Sequence, residues 1–146
     1  MDILAFKRAN LAQACCDSLE GKGIANARSG LFLAGPRRVG KSTFLIEDLI
    51  PEAESRNWLI VYVDLWSDQK MDPAVLITEA IKTSISDQKS RVGKLVEQVK
   101  LQKINLLKTF EFDFSKPGLP GNITLADALS YLIKLAGKPV LLIIDE

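Results

Sequence analysis

One eight-residue segment constrains the fold of this chain more than any other part of its sequence. Residues 35–42 read GPRRVGKS and fit the pattern G-x-x-x-x-G-K-[ST] at every fixed position. The short apolar run Leu31–Ala34 precedes the segment, and residues 41–50 follow with apolar side chains on one helical face. A strand, a glycine-rich loop and a helix in this order direct backbone N–H groups and a helix N-terminus at an anion. The segment therefore predicts an α/β fold whose loop binds phosphate groups.

Each position of this loop has a role in that interpretation. Lys41 is expected to reach the β- and γ-phosphates, Ser42 to coordinate Mg²⁺ through its hydroxyl, and Thr43 to lie near the α-phosphate. The two arginine side chains are expected in solvent, with contact to nucleotide or to a partner as the alternative. The alternative for the whole segment is a glycine-rich turn with an exposed lysine. The predicted nucleotide-binding residues are Gly35, Pro36, Arg37, Arg38, Val39, Gly40, Lys41, Ser42 and Thr43.

A second motif lies at the end of the sequence. Residues 139–145 form an apolar run that predicts a strand, and its last residue, Asp145, is followed by Glu146. Ligands bind outside the carboxyl ends of strands in open α/β sheets. Asp145 is therefore expected to hold the Mg²⁺ shell through water, and Glu146 to orient and polarise an attacking water. The alternative is that both are acids at a strand end that face solvent.

Hydrophobic periodicity and capping signals predict the remaining elements. Strands are expected at 31–34, 58–65 and 139–145, with the second buried on both faces as in a parallel sheet. Helices are expected within 2–20, over 41–50 with Pro51 ending the helix, from Pro73 with Asp72 as its cap, and over 125–136 between Thr124 and Gly137. The helix from Pro73 is either continuous or broken near Gly93. Loops are expected at 22–30 and 110–122, the latter with a short strand at 110–114 as an option.

The two motifs, GPRRVGKSTFL and VLLIIDE, resemble the AAA+/STAND-like P-loop ATPases of prokaryotes, especially the archaeal-ATPase type. The resemblance covers residues 28–66 and 138–146. It implies a three-layer α/β P-loop NTPase with a parallel sheet, ATP and Mg²⁺ as ligands, and catalytic roles for Glu146 and Lys41. It also implies an N-terminal helical segment, 1–27, before a core, 28–146, that carries a helical insertion at 73–122. The ABC transporter ATPases are rejected because no LSGGQ-type signature precedes residue 140.

Three functions remain open at this point. The first is Mg²⁺-dependent ATP hydrolysis coupled to conformational change in a larger protein, with a protein partner or self-association. The second is a nucleotide-dependent switch without turnover. The third is a DNA-directed ATPase of the initiator or helicase-loader type that uses the basic residues of 82–108. This segment contains seven basic and two acidic residues.

Composition excludes several other classes of protein. The chain has no histidine and only two cysteines, Cys15 and Cys16, which argues against zinc sites, histidine-based nucleophile systems and a disulfide scaffold. We expect both cysteines to be buried, Trp58 and Trp66 to anchor the core or strand ends, and Asp64 to cap a loop. No apolar stretch is long enough to span a bilayer, and the N-terminus lacks the pattern of a signal peptide, so a cytoplasmic protein with no membrane partner is expected.

The end of the sequence carries one further expectation. The chain stops at VLLIIDE, in what is predicted to be a buried strand, whereas domains usually end at the surface in polar residues. We therefore expect an N-terminal portion of a longer protein that ends at this strand, the Walker B strand of the resembled family. In the resembled family the strand that follows this motif lies between the two motif strands. We therefore expect no strand between 31–34 and 140–145, or direct pairing of these two, and turnover near background for these 146 residues alone.

Overall fold

A computed structural model describes residues 7–23, 25–96, 119 and 123–146. These residues form helices and two short strands. The helical segments are α1 (Ala9–Leu19), α2 (Lys41–Phe44), a π-helical segment (Leu45–Leu49), α3 (Ile50–Ser55), α4 (Pro73–Val96) and α5 (Leu125–Ala136). The strands are β1 (Leu59–Asp64) and β2 (Val140–Asp145). Since α2, the π-helical segment and α3 run on without a break, the described residues form four helices and a small two-stranded parallel sheet. The mixed α/β class is thus confirmed.

The chain divides into two compact units, Met1–Ile60 and Val61–Glu146. In the first unit, α1 packs against the π-helical segment and α3. Its core contains Cys16, Ala53 and Phe44, each no more than 2% exposed. Arg56 joins the two helices, with its Nη1 2.7 Å from an Asp17 carboxylate oxygen and its Nη2 2.9 Å from one of Glu52. These contacts, the hydrogen bond with Asp17 first, raise the pKa of Arg56 above its ordinary value.

The helix after the loop does not end at Pro51, as the sequence predicted, but continues to Ser55. The backbone N–H of Ile50 donates to the carbonyl of Leu45, five residues back, which marks the π-helical turn just before the proline. Proline lacks an N–H and its ring crowds the carbonyl four residues earlier. A π turn changes the hydrogen-bond register at that point, so the helix accommodates the proline there instead of ending.

The predicted strand Leu31–Ala34 is wrong. These residues form no strand, and Leu31, Phe32 and Leu33 are 42%, 98% and 38% exposed. A strand exists only when its backbone N–H and C=O groups pair with a neighbour. Among the described residues the sheet contains β1 and β2 alone, so this segment has no partner strand in it.

The second unit contains β1 from Val61 onward, β2 and the helix pair α4 and α5, and α5 also contacts β2. Ile81, Ile85 and Leu132 are fully buried between these elements. In β1, Val61 and Val63 are buried whereas Asp64 is exposed. On the other face, Ile60 and Tyr62 are half-buried, so the expectation that this strand is buried on both faces is met only in part.

Local capping signals are confirmed at both helices of this unit. Asp72 accepts a hydrogen bond from the N–H of Ala74 at 2.7 Å, and Pro73 is the first residue of α4. Thr124 and Asp127 form a reciprocal capping box at the start of α5, and Gly137 ends that helix in the left-handed conformation, with φ 66°. The hydrogen bonds from Thr124, that of its backbone first, lower the pKa of Asp127.

Helix α4 passes through Gly93 without a break and is described as far as Val96. The predictions for residues 2–6, 97–118 and 120–122, including the optional strand at 110–114, lie outside the described residues. Within the part of the chain that is described, no helix has the length and apolar character needed to cross a membrane.

Candidate functional site

The loop before α2 turns sharply at two residues with left-handed backbone conformation. Arg38 has φ 63° and Gly40 has φ 83°, and the carbonyl of Gly40 accepts the first helical hydrogen bond, from the N–H of Phe44 at 2.9 Å. Glycine suits position 40 for a second reason, since a Cβ there would lie 2.7 Å from Nη2 of Arg8. Gly40 therefore lets the chain leave the loop and enter the helix directly.

Lys41 folds back across the loop that precedes it. Its ammonium donates to the carbonyl of Gly35 at 2.6 Å and to that of Pro36 at 3.1 Å. A Cβ at Gly35 would lie 3.2 Å from a methyl group of Val39 and 3.8 Å from Cδ of the lysine, so the loop closes tightly around this side chain. An ammonium carries three N–H donors, so these two contacts leave it able to attract an anion.

The remaining loop residues face solvent. Residues 31–39 are exposed, as are the hydroxyl residues Ser42 and Thr43 in the first turn of α2. The expectation that the Arg37 and Arg38 side chains lie at the surface is consistent with their exposure. An anion can therefore reach the loop without any rearrangement of a core.

Arg8 is a contact of the loop that the sequence did not predict. Its Nη2 donates to the carbonyls of Val39 at 3.2 Å and Gly40 at 3.3 Å, and its guanidinium carbon lies 5.7 Å from the centre of the Phe44 ring. The contact depends on α1 packing against the helix that follows the loop. No local pattern around residue 8 signals it, because the two partners are 31 and 32 positions apart.

Asp145 ends β2 as a buried carboxylate, 7% exposed. Its Oδ2 accepts a hydrogen bond from the hydroxyl of Tyr62 at 2.7 Å, and its backbone carbonyl accepts from the N–H of Leu65 at 2.9 Å. Burial first, and then the hydrogen bond to the Asp145 carboxylate and its charge, raise the pKa of Tyr62 above its ordinary value. The sequence reasoning missed Tyr62, whose only signal was its place in a strand expected to be parallel to β2.

Glu146 follows the last residue of β2 and is exposed. Asp64, at the end of β1, is exposed too, and its carboxylate accepts a hydrogen bond from the N–H of Trp66 at 2.8 Å. That local turn confirms the loop-capping interpretation of Asp64. Trp58 is buried as expected, whereas Trp66, just after the end of β1, is 54% exposed.

The structure thus brings the predicted residues together in two groups. Gly35, Pro36, Gly40 and Lys41 meet within the unit Met1–Ile60. Asp145 and its partner Tyr62 belong to the unit Val61–Glu146. Across the described residues no three or more Asp, Glu, Cys or His side chains cluster to hold a metal ion.

Two basic residues of 82–108, Lys82 and Lys89, make contacts within their own unit. Lys82 is 7% exposed, and its ammonium lies 3.0 Å from a carboxylate oxygen of Glu79. Lys89 is half-buried over the ring of Tyr131, 5.7 Å from its centre, and burial lowers the pKa of this lysine. Arg91 is exposed, while Lys100, Lys103 and Lys108 lie outside the described residues.

Comparison of the chain with models of known protein families, with curated proteins and with solved structures finds no match. Its function is therefore inferred from its own residues.

Proposed function

We propose that this chain is the nucleotide-binding part of a P-loop ATPase with a three-layer α/β fold, and that it binds Mg-ATP at residues 35–43. The observation that carries the proposal is the loop around Lys41, whose ammonium spans from the first helical residue to the carbonyl of Gly35 at 2.6 Å. An exposed lysine on an ordinary glycine-rich turn would extend into solvent. Here the loop wraps around the lysine and remains open to an anion from outside.

The residues of the loop fit a triphosphate chemically. Backbone N–H groups at the end of the loop and the charge of Lys41 attract phosphate oxygens, because charge-assisted hydrogen bonds are the strong ones. Ser42 is exposed in the first helical turn, where its hydroxyl is able to coordinate a cation. Mg²⁺, when bound, neutralises charge on the β- and γ-phosphates.

Asp145 and Glu146, in the unit Val61–Glu146, are the proposed acidic residues of the ATPase. The Tyr62 hydroxyl engages Oδ2 of Asp145, so the carboxylate keeps Oδ1 as an acceptor for a water molecule of the Mg²⁺ shell. Glu146 is exposed at the strand end, where it is able to orient and polarise a water as a general base. Hydrolysis would then drive a conformational change in a larger cytoplasmic protein, through a partner or self-association.

The described residues favour the DNA-directed alternative less. Two of the seven basic residues of 82–108, Lys82 and Lys89, make contacts inside their own unit, with Glu79 and Tyr131. The switch without turnover differs from the ATPase only in the activity of Glu146.

Binding of a fluorescent ATP analogue tests the proposal. Lys41→Ala should weaken affinity by more than tenfold, since it removes a charge-assisted contact of about 1.5–3 kcal/mol to a phosphate. Lys70→Ala is the matched control, because Lys70 is an exposed lysine outside the loop, and it should bind like the wild type. Equal affinities for all three proteins would show that the loop is not a phosphate site.

A further inference from the structure

The guanidinium of Arg8 is held against the end of the loop by three contacts. Nη2 donates to the carbonyls of Val39 and Gly40 at 3.2 and 3.3 Å, and the guanidinium carbon lies 5.7 Å from the centre of the Phe44 ring. Phe44 is only 2% exposed, so the ring is a fixed platform. A planar guanidinium suits this place because it stacks on an aromatic face and donates at its edge at the same time.

The two carbonyls determine where two N–H groups point. In a trans peptide the C=O and the N–H lie on opposite sides of the peptide plane. The carbonyl of Val39 shares its peptide with the N–H of Gly40, and the carbonyl of Gly40 shares its peptide with the N–H of Lys41. Since Arg8 holds both carbonyls on its own side, both N–H groups point away from it. These N–H groups come at the start of the helix, where backbone donors lack intrahelical acceptors.

We propose that Arg8 is a positioning residue of the phosphate loop, which orients the N–H groups of Gly40 and Lys41 toward a phosphate ligand. This inference rests on the proposed function. Arg8 acts through the peptide groups and does not touch the ligand, because it donates to their carbonyl side. Hydrogen bonding at a carbonyl also polarises its peptide, which makes the N–H of the same peptide a stronger donor.

Gly40 and Arg8 are complementary in shape as well. The space that a Cβ of residue 40 would occupy lies 2.7 Å from Nη2 of Arg8. Glycine at this position therefore allows both the left-handed turn and the close approach of the guanidinium. The sequence motif accounts for Gly40 by the turn alone and does not include residue 8.

The test compares Arg8→Ala, Arg8→Lys and wild-type protein in two measurements. The first is the ¹H–¹⁵N spectrum of the ligand-free protein, in which the amide resonances of Gly40 and Lys41 should shift in Arg8→Ala. The second is the Kd for Mg-ATP and for inorganic pyrophosphate, which should rise about tenfold in Arg8→Ala. Arg8→Lys keeps the charge but loses the planar fork, so its Kd should lie between the other two.

The amide spectrum of the ligand-free protein separates positioning from direct contact with the ligand. Because Arg8 donates to the carbonyls of Val39 and Gly40, the Gly40 and Lys41 amide resonances should shift in Arg8→Ala before any ligand is added. Unchanged resonances of these two amides together with a raised Kd would overturn the proposal in favour of a direct arginine–phosphate contact. Arg28→Ala is the matched control, since Arg28 also donates to a backbone carbonyl, that of Glu20, and it should change neither measurement.

The outcomes also separate this inference from the proposed function. Thermal unfolding identifies the temperatures at which every variant is folded, and all binding is measured there. If wild type binds Mg-ATP, Lys41→Ala does not, and both Arg8 variants bind like wild type, the positioning role is wrong while the phosphate site stands. If wild type binds neither Mg-ATP nor pyrophosphate, the phosphate site and the positioning role are both wrong.

Discussion

Asp145 and Glu146 are neighbouring acids in different environments. Asp145 is 7% exposed and accepts a hydrogen bond from Tyr62, whereas Glu146 is exposed beyond the end of β2. A buried, tethered carboxylate suits a fixed place near a cation's water shell, and an exposed one is free to orient a reacting water. The two acids are therefore expected to respond differently to substitution.

Glu146→Gln should leave Mg-ATP bound while turnover falls by about 10²–10⁴-fold, which is the usual contribution of a positioned base. The measurement is phosphate release by the natural full-length protein, with Kd for Mg-ATP determined in parallel. The matched control is Asp64→Asn, another exposed acid at a strand end. Undiminished hydrolysis in Glu146→Gln would assign the water-orienting role elsewhere, and an absence of turnover in wild type would favour the nucleotide switch.

Single residues of the site were predictable only where their role is local. Gly40 and Lys41 stand where the motif puts them, because a glycine in the left-handed conformation followed by a helix start is encoded within a few residues. Arg8 and Tyr62 were not predictable, since their partners are 32 and 83 positions away along the chain. Only packing of whole elements brings such pairs together.

Secondary-structure elements, too, were predicted correctly where their causes are local and wrongly where a distant partner decides. The start and end of α5 were predicted correctly, because its capping box and its final glycine act within one turn of the helix. The strand at 31–34 was wrong because a strand depends on a partner, and apolar composition does not supply one. The predicted helix end at Pro51 was wrong because a π-helical turn just before the proline lets the helix continue through it.

The capping box of α5 should be measurable in the stability of the protein. Thr124→Ala removes the hydroxyl that accepts from the N–H of Asp127, so the free energy of unfolding should fall by about 1 kcal/mol. Thr124→Ser keeps the hydroxyl and should unfold like the wild type. Urea denaturation followed by circular dichroism compares the three proteins. If alanine and serine variants have the same midpoint, the cap does not stabilise α5.

At the scale of the whole molecule, burial of a cysteine thiol makes the stability of the protein depend on pH. Cys16 is fully buried where α1 packs in the first unit, and its thiol is not in a disulfide. Burial raises the pKa of Cys16 from 9.0 to about 11, although the nearby Arg56 acts to lower it. The core therefore keeps this thiol protonated at pH values where an exposed one has ionised.

The free energy of unfolding should consequently fall in alkaline solution, because the folded state then binds more protons than the unfolded state. Below pH 9.0 the thiol of Cys16 is protonated in both states, and its contribution to the stability of the folded state is fully present. Between pH 9.0 and about 11 the unfolded chain loses this proton while the folded chain retains it, so the free energy of unfolding decreases as pH rises. Cys16→Ala removes this contribution and should show a shallower decrease across the same window, whatever its stability at neutral pH. Urea midpoints at pH 8, 9.5 and 11 for both proteins measure the difference. The lysines and tyrosines are the same in both proteins, so their titration affects both curves equally. Parallel curves would therefore mean that Cys16 ionises in the folded protein as readily as in the unfolded chain.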